Sequence, residues 1–316
     1  VANHTPEPTA AATPYVGRFA PTPSGPLHAG SLLAAVVSWL DARSRGGRWH
    51  LRLDDSDRPR VQPGAADAIL RALEAFGLAW DGTVTRQSQH EPAYRHALQT
   101  LRDHDRAFPC GCTRKDLARH GRPGWEGPVY PGTCRDGLPP DREPRALRAR
   151  IDTRYWSIED RFLGAIAFDL EALGSDFVIR RADGVVAYQL ATVVDDLALG
   201  VTHVVRGIDL LGSTPRQMQL YRMLHQPPPA YAHHPVLVAA DGHKLAKATG
   251  AAAIQGDAAR RQLADTLARI GLAPADLQAP DRPDRQLGEA LERLRQRPLA
   301  AYLPAQATLP GEAGAV

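Results

Sequence analysis

The chain has 316 residues, which at roughly 150 residues per domain predicts two domains or one decorated domain. Its 43% hydrophobic and 23% charged residues give it the apolar mass for a core, which excludes a disordered chain, a collagen and a disulfide-stapled miniprotein. The net charge of +3 neither demands nor excludes nucleic acid, and the longest apolar run, Leu32 to Val37, is far short of the roughly 20 residues of a membrane helix.

Residues 1–14 are Ala, Thr and Pro without a period, and read as a disordered leader. They hold neither Lys, Arg nor an apolar stretch, so no secretory signal is read there and a cytoplasmic protein is expected. Tyr15 to Phe19 reads as a short buried strand, ended by Pro21, Pro23 and Gly25. Ser31 is expected to cap an apolar helix running to about Arg45, with Gly46 and Gly47 stopping it. Trp49, Leu51 and Leu53 alternate as the next strand. That order, strand, Gly/Pro loop, helix and strand, predicts a βαβ unit with a parallel sheet.

Helices are expected over Pro63–Phe76, with Gly77 as its stop, and over Glu91–Ala107, with Pro92 in its first turn. A cysteine-bearing segment and a Pro- and Arg-rich loop over 135–145 follow. Ala182-Asp183-Gly184 reads as a hairpin turn between strands Phe177–Arg180 and Val185–Tyr188. Next come a helix over Gln189–Leu199, a strand over Thr202–Arg206, a helix capped by Ser213 reaching about His225, and a strand over Val236–Ala239 before the Asp241-Gly242 turn. In the tail, Leu287, Leu291 and Leu294 stand at helical spacing and no further strand is expected.

The loop between the first strand and the first helix, Arg18-Phe-Ala-Pro-Thr-Pro-Ser-Gly-Pro-Leu-His28-Ala-Gly30-Ser31, sits where an α/β sheet offers its carboxyl edge and a helix N-terminus to phosphate. His28 can donate to a phosphate oxygen, and Gly30 removes the side chain that would keep the phosphate away. The chain has 35 Arg and only 3 Lys, yet Lys244 and Lys247 lie together in the loop after the last predicted strand. Compact ammonium groups on flexible stems, placed together in a chain that otherwise uses Arg, hint at a site needing point charges. Arg18 and Arg206 both leave strands, and their guanidinium forks match carboxylates bidentately. Tyr188 can donate its hydroxyl to the same ligand, and Asp54, ending the second strand, can take an ammonium.

All three cysteines fall within one stretch, Cys110-Gly-Cys112 and then Cys134. Three thiolates suit zinc, which is nearly always four-coordinate in structural sites. On the residues alone the fourth ligand is open: His120 is the generic candidate, and water or another side chain is possible.

The first loop resembles the first signature of class I aminoacyl-tRNA synthetases, and Arg-Phe-Ala-Pro-Thr-Pro-Ser-Gly resembles the glutamyl and glutaminyl branch. The segment His243-Lys244-Leu-Ala-Lys247-Ala248 resembles their second signature, with Ala246 and Ala248 where a hydroxyl and a polar residue are usual. The resemblance covers Tyr15 to about Gly250. It implies a glutamate pocket of Arg18, Phe19, Ala20, Pro21, Thr22, Asp54, Tyr188 and Arg206. Asp54 replaces the usual Glu and is one methylene short, so the ammonium contact would run through water or Asp55. It also implies ATP contacts from His28, Gly30, Ser31 and Lys247, magnesium with the ATP, and His28, Lys244 and Lys247 as the catalytic set. Within the branch, the glutamyl-queuosine tRNA(Asp) synthetases have Cys-x-Cys followed by Tyr-x-x-x-Cys. That spacing recurs at Tyr130 and Cys134, which implies one structural zinc on Cys110, Cys112, Tyr130 and Cys134.

The expected fold class is therefore α/β, a Rossmann-like parallel-sheet nucleotide-binding domain with a zinc-containing insertion and a short helical C-terminal piece. The expected divisions are a leader over 1–14, catalytic halves over 15–108 and 176–249, an insertion over 109–175 and a helical region over 250–316. With 69 residues after Lys247, no anticodon-binding domain is expected. The expected reaction activates glutamate with ATP and transfers it to the queuosine base of tRNA(Asp), by a monomer. A truncated glutamyl-tRNA synthetase charging a 3′ end and a non-catalytic zinc-containing RNA-binding relative remain as alternatives.

Overall fold

A computed structural model describes residues 14–125, 127–140, 142–236, 259–274 and 282–303. The expected βαβ unit is present. Val16–Phe19 (β1) is buried along its length and pairs in parallel with Arg48–Leu53 (β2), Val16 opposite Arg48. Thr85–Arg86 (β3) extends the sheet on the far side of β2, again in parallel. The helix between the first two strands, α1 (Ala29–Ser44), begins earlier than expected: His28, not Ser31, is its N-cap, and the His28 ring accepts from the Ser31 N–H. An imidazole nitrogen here does what a Ser or Asp oxygen does at most N-caps.

A second helix, α2 (Ala65–Ala75), starts two residues after Pro63 because Gly64 is left-handed (φ +74) and serves as its N-cap. Gly77 (φ +70) lies just past its end, as expected. Helix α3 (Glu91–Asp103) is shorter than its sequence pattern suggests. The chain turns at Asp105 (φ 52) and Ala107–Cys110 becomes a strand, β4, with Ala107, Phe108 and Cys110 buried. The sheet partner for those residues comes from far along the chain, which a local helical period does not encode.

The segment expected to be an insertion, 109–175, holds α4 (Arg114–His120), started by a Thr113–Asp116 capping box, and strands β5 (Ala146–Ala149), β6 (Tyr155–Asp160) and β7 (Gly164–Asp169). Strand β8 (Val178–Arg180) joins β5, giving the antiparallel order β4-β5-β8, while β6 and β7 form a separate hairpin. The expected strand Val185–Tyr188 is reduced to one bridge, Arg180 to Val186. Tyr188 already opens the next helix, α5 (Tyr188–Ala198).

Strand β9 (His203–Gly207) leads to α6 (Ser213–Met223), capped by Gly212 rather than Ser213, and then to β10 (Ala230–His234). β10 pairs in parallel with β9. The strand expected over Val236–Ala239 lies outside the described residues apart from Val236, which is in no strand; β10, not foreseen in the sequence, ends just before Pro235, which has no N–H for a ladder. β9 lies beside β1, where the Thr202 N–H donates to Val16 O at 2.9 Å and the Val16 N–H donates to Thr202 Oγ1 at 2.9 Å. The three-stranded sheet β3-β2-β1 and the two-stranded sheet β9-β10 thus lie side by side, with β1 next to β9 and the switch point between them.

The tail carries two helices, α7 (Ala259–Arg269) and α8 (Pro283–Gln296), where one was expected. Both pack into the same core as α1, through Leu263, Leu267, Leu287 and Leu294. This explains why α1 is apolar on nearly every side: the sheet covers one face and the tail helices another. No helix among the described residues is long and apolar enough to cross a membrane.

Asp41 is the one acid buried in α1, at 2% exposure. Its carboxylate accepts from both Arg161 terminal nitrogens, at 2.7 and 2.8 Å, and from the Tyr15 hydroxyl. The cluster ties α1 to the entry of β1 and to the turn after β6. Burial pushes the Asp41 carboxyl up, but the Arg161 hydrogen bonds and charge outweigh it and hold it below the usual carboxylate range. Its stabilisation is therefore complete above the unfolded value of about 3.9 and is lost as pH falls through the lower folded value. Asp41→Ala, which strands a half-buried guanidinium, is expected to cost about 3 kcal/mol in urea unfolding at pH 7. A loss under about 1 kcal/mol would show that the cluster does not bear on stability.

Candidate active site

A cavity of about 490 Å³ opens at the carboxyl ends of β1 and β9, the switch point of the sheet. Arg18, Phe19, Ala20, Pro21 and Thr22 line it, with His28, Gly30 and Ser31 at the start of α1, Asp54 after β2, Tyr188 on α5 and Arg206 on β9. The structure thus brings together every expected glutamate and ATP residue outside the Lys loop. Lys244 and Lys247 lie outside the described residues. The Pro-rich loop is pinned from below by the chain after β2: the Asp54 N–H donates to Pro21 O at 3.0 Å and the Gln62 N–H to Pro23 O at 2.9 Å. His28 Nε2 lies 3.0 Å from Ser31 Oγ, so the cap also sets the ring beside the helix N-terminus.

Beneath the cavity is a buried ion network. Arg18 (5% exposed) donates from Nε to both Asp196 oxygens at 3.2 Å. Arg52, fully buried, donates to Asp196 Oδ1 at 2.6 Å and to Asp54 Oδ1 at 2.7 Å. Asp195, beside it on α5, accepts from Tyr94 at 2.7 Å, His90 at 2.7 Å and Gln87 at 2.8 Å. Arg52 Nη2 has no hydrogen-bond partner among the described residues. Burial pushes the Asp54 carboxyl above the usual range, against the pull of Arg52. Asp54 is therefore not free, as its sequence context suggests, but is already held by Arg52. Three carboxylates face two guanidinium groups here, and a ligand ammonium would balance them. Asp55 faces elsewhere, accepting from the Ser88 N–H at 2.8 Å and the Ser88 hydroxyl at 2.9 Å.

Arg206 is held differently. Its three nitrogens donate to neutral partners: Gln217 Oε1 at 2.7 Å, Thr214 Oγ1 at 2.8 Å and His233 Nε2 at 3.2 Å. Its guanidinium lies over the Tyr231 ring, 5.2 Å from the centroid. His233 is fully buried, and its Nδ1 lies 2.6 Å from Asp160 Oδ2. Burial drives the His233 imidazole down to about 4, so it is neutral at pH 7. It then donates from Nδ1 to Asp160 and accepts at Nε2 from Arg206. The result is a rigid, 5% exposed cation with no carboxylate partner among the described residues. His234 adds an acceptor to the same cavity: its Nδ1 engages Pro235 O, and its buried Nε2 has no partner among the described residues.

The cysteines also converge. The Cys110, Cys112 and Cys134 sulfurs lie within 4.8 Å of one another. Zn–S bonds of about 2.3 Å in a tetrahedron put ligand atoms about 3.8 Å apart. Cys112 Sγ and Cys134 Sγ are 3.8 Å apart, as are Cys110 Sγ and Tyr130 Oη. The donor set thus fits a small tetrahedral ion. His120 is exposed at the end of α4 and is not part of the group. Arg148 donates to Cys110 Sγ at 3.3 Å and, against burial, helps hold that thiol below its usual range, whereas burial and the Cys110 charge push Cys112 up to about 12.

Arg52, Asp195, Asp196, Asp160, His233, Thr214 and Gln217 do not stand out in the sequence. One signal is there to be found: Asp195-Asp196 interrupts an apolar helical run, Val193-Val194 before and Leu197 after, and acids so placed are buried and paired. The pairing of His233 with Arg206 and Asp160 carries no such mark, because it joins three separate strands.

Residues 15–279 match the family described as tRNA synthetases class I (E and Q), catalytic domain. The Glutamyl-Q tRNA(Asp) synthetase of Chromobacterium violaceum is 55% identical over 263 residues, 83% of this chain and 88% of that protein. That of Thiobacillus denitrificans is 51% identical over 82% of this chain and 86% of its own length. The fold is shared with the glutamate-tRNA synthetase of Elizabethkingia anophelis, with a TM-score of 0.71 at 24% identity; the match covers 87% of this chain and 65% of that one, less than two thirds of its length. The chain belongs to the class I tRNA synthetases of the E and Q type and, within them, to the Glutamyl-Q tRNA(Asp) synthetases.

Proposed function

We propose that the cavity between β1 and β9 binds glutamate and ATP, forms glutamyl adenylate, and delivers the glutamyl group to the queuosine base in the anticodon of tRNA(Asp). The observation that carries this reading is Arg206, a buried cation lining the cavity whose hydrogen-bond acceptors are all neutral. Such a fork is preorganised for a carboxylate. Arg18 supplies a second fork, its Nε spent on Asp196, and two forks suit a dicarboxylic amino acid. Asp54 answers the α-ammonium, Tyr188 offers its hydroxyl, and Phe19, Ala20, Pro21 and Thr22 form the wall.

A glutamate carboxylate oxygen attacks the α-phosphorus of ATP, and pyrophosphate leaves with its electron pair. The step needs alignment and charge neutralisation more than proton transfer. The α1 N-terminus with Gly30 and Ser31 seats phosphate, while His28, Lys244 and Lys247 stabilise the developing charge. Magnesium accompanies ATP. A queuosine cyclopentenediol hydroxyl then attacks the adenylate carbonyl, losing its proton as AMP departs. Cys110, Cys112, Tyr130 and Cys134 would hold one zinc that fixes the insertion and takes no part in the reaction.

Protein purified without chelator is expected to contain about one zinc per chain, and a metal assay finding none would remove the structural zinc. Labelled glutamate is expected to pass to an isolated queuosine-containing anticodon stem-loop that lacks a CCA end. Pyrophosphate exchange with glutamate and ATP is expected without any RNA. Charging of unmodified tRNA(Glu) at its 3′ end, with a silent stem-loop, would instead make this a glutamyl-tRNA synthetase.

A further inference from the structure

A second cavity, of about 680 Å³, lies over the β4-β5-β8 sheet, away from the one that holds the proposed substrates. Arg102 from the last turn of α3, Arg145 just before β5 and Arg180 at the end of β8 line it. Pro109, Leu138 and Pro144 are among the rest of its lining, none of which is acidic. The three arginines are exposed, and no carboxylate lies within ion-pair distance of any of them among the described residues. This is unusual in a chain where most arginines near the insertion are paired: Arg106 with Asp152, Arg122 with Glu171, Arg135 with Asp176, Arg154 with Asp169.

The cavity is also joined to the active site. Arg181, next to Arg180, pairs with Asp57 at 3.2 Å, which ties the hairpin to the loop after β2. That loop carries Arg60, which lines the substrate cavity. The hairpin that carries Arg180 is therefore tied by an ion pair to the loop at the mouth of the active site. The backbone bearing Arg145 is fixed in turn, since its N–H donates to Cys110 O at 3.1 Å within the cysteine cluster.

We infer that this groove seats the phosphate backbone of the RNA substrate, with Arg102, Arg145 and Arg180 as the residues that hold it. The inference rests on the proposed function for the identity of the RNA. Guanidinium groups without competing acids bind phosphate, and an apolar floor without side-chain donors or acceptors offers no side chain to read a base edge. Binding there is therefore independent of sequence and of the modified base. It positions the RNA while the β1/β9 cavity does the chemistry.

The test is RNA affinity against salt, by fluorescence anisotropy with labelled tRNA(Asp), with and without queuosine. Removing one arginine that neutralises a phosphate makes the salt slope shallower by about 1 or slightly less. The triple variant Arg102→Gln/Arg145→Gln/Arg180→Gln is expected to bind at least about tenfold more weakly at low salt. Its slope of log K on log salt should be shallower by about 2 to 3, by the same amount for both RNAs. Replacing the three with Lys should restore the slope. RNA-free pyrophosphate exchange should stay at the wild-type rate, which also reports folding. If the triple variant does not fold, exposed Arg102→Gln alone should lower the slope by about 1. An unchanged slope in a variant that still exchanges pyrophosphate would overturn the groove and leave the proposed function standing. Wild-type protein that neither exchanges pyrophosphate nor transfers glutamate would overturn the proposed function, and the slope would still decide the groove.

Discussion

Two guanidinium groups share one carboxylate beneath the crevice. Asp196 takes Arg18 from β1 and Arg52 from β2, so a single acid on α5 braces the first two strands from below. Burying these charges costs several kcal/mol per ion unless each is paired and hydrogen-bonded, and the network meets that condition almost completely. Asp195 and Asp54 absorb the rest of Arg52, with one nitrogen, Nη2, left over. The arrangement keeps Arg18 in place at the cavity wall without using its whole fork. It also leaves a surplus of negative charge, which suits a ligand ammonium beside Asp54.

The opposite logic governs Arg206. Among the described residues it has no acid to satisfy it, and its neutral cage fixes orientation without cancelling charge. A salt-bridged arginine would have to break its pair to take a substrate carboxylate, whereas Arg206 is ready. The neutrality of His233 matters here, because a protonated ring would repel the guanidinium and lose the acceptor at Nε2. Burial holds it neutral, while Asp160 fixes the tautomer.

Much of this is legible in the sequence. The strand, Pro-rich loop and apolar helix from Tyr15 to Ser44 announce the βαβ unit, and the residues of that loop, with Tyr188 and Arg206, do meet at one cavity. What is not legible depends on distant partners. Ala107 looks like the end of a helix because its sheet partner lies some forty residues on, at Ala149. The two tail helices look peripheral because the core they complete belongs to α1. Asp54 looks available because nothing in its neighbourhood shows that Arg52, two residues earlier, turns under the sheet to meet it. His28, read in the sequence as a donor to phosphate, is also the N-cap of the helix that would bind the phosphate.

The central claim is that Arg206 is an uncompensated fork awaiting a side-chain carboxylate. It is tested most directly by calorimetric titration of glutamate and glutamine into the wild-type protein and into Arg206→Gln. Charge-assisted hydrogen bonds of about 1.5–3 kcal/mol correspond to an affinity change of about tenfold to over a hundredfold. The wild type is expected to prefer glutamate by such a factor, and Arg206→Gln, with its melting temperature little changed, to lose that preference. A well-folded variant that still binds glutamate with wild-type affinity and preference would contradict the claim.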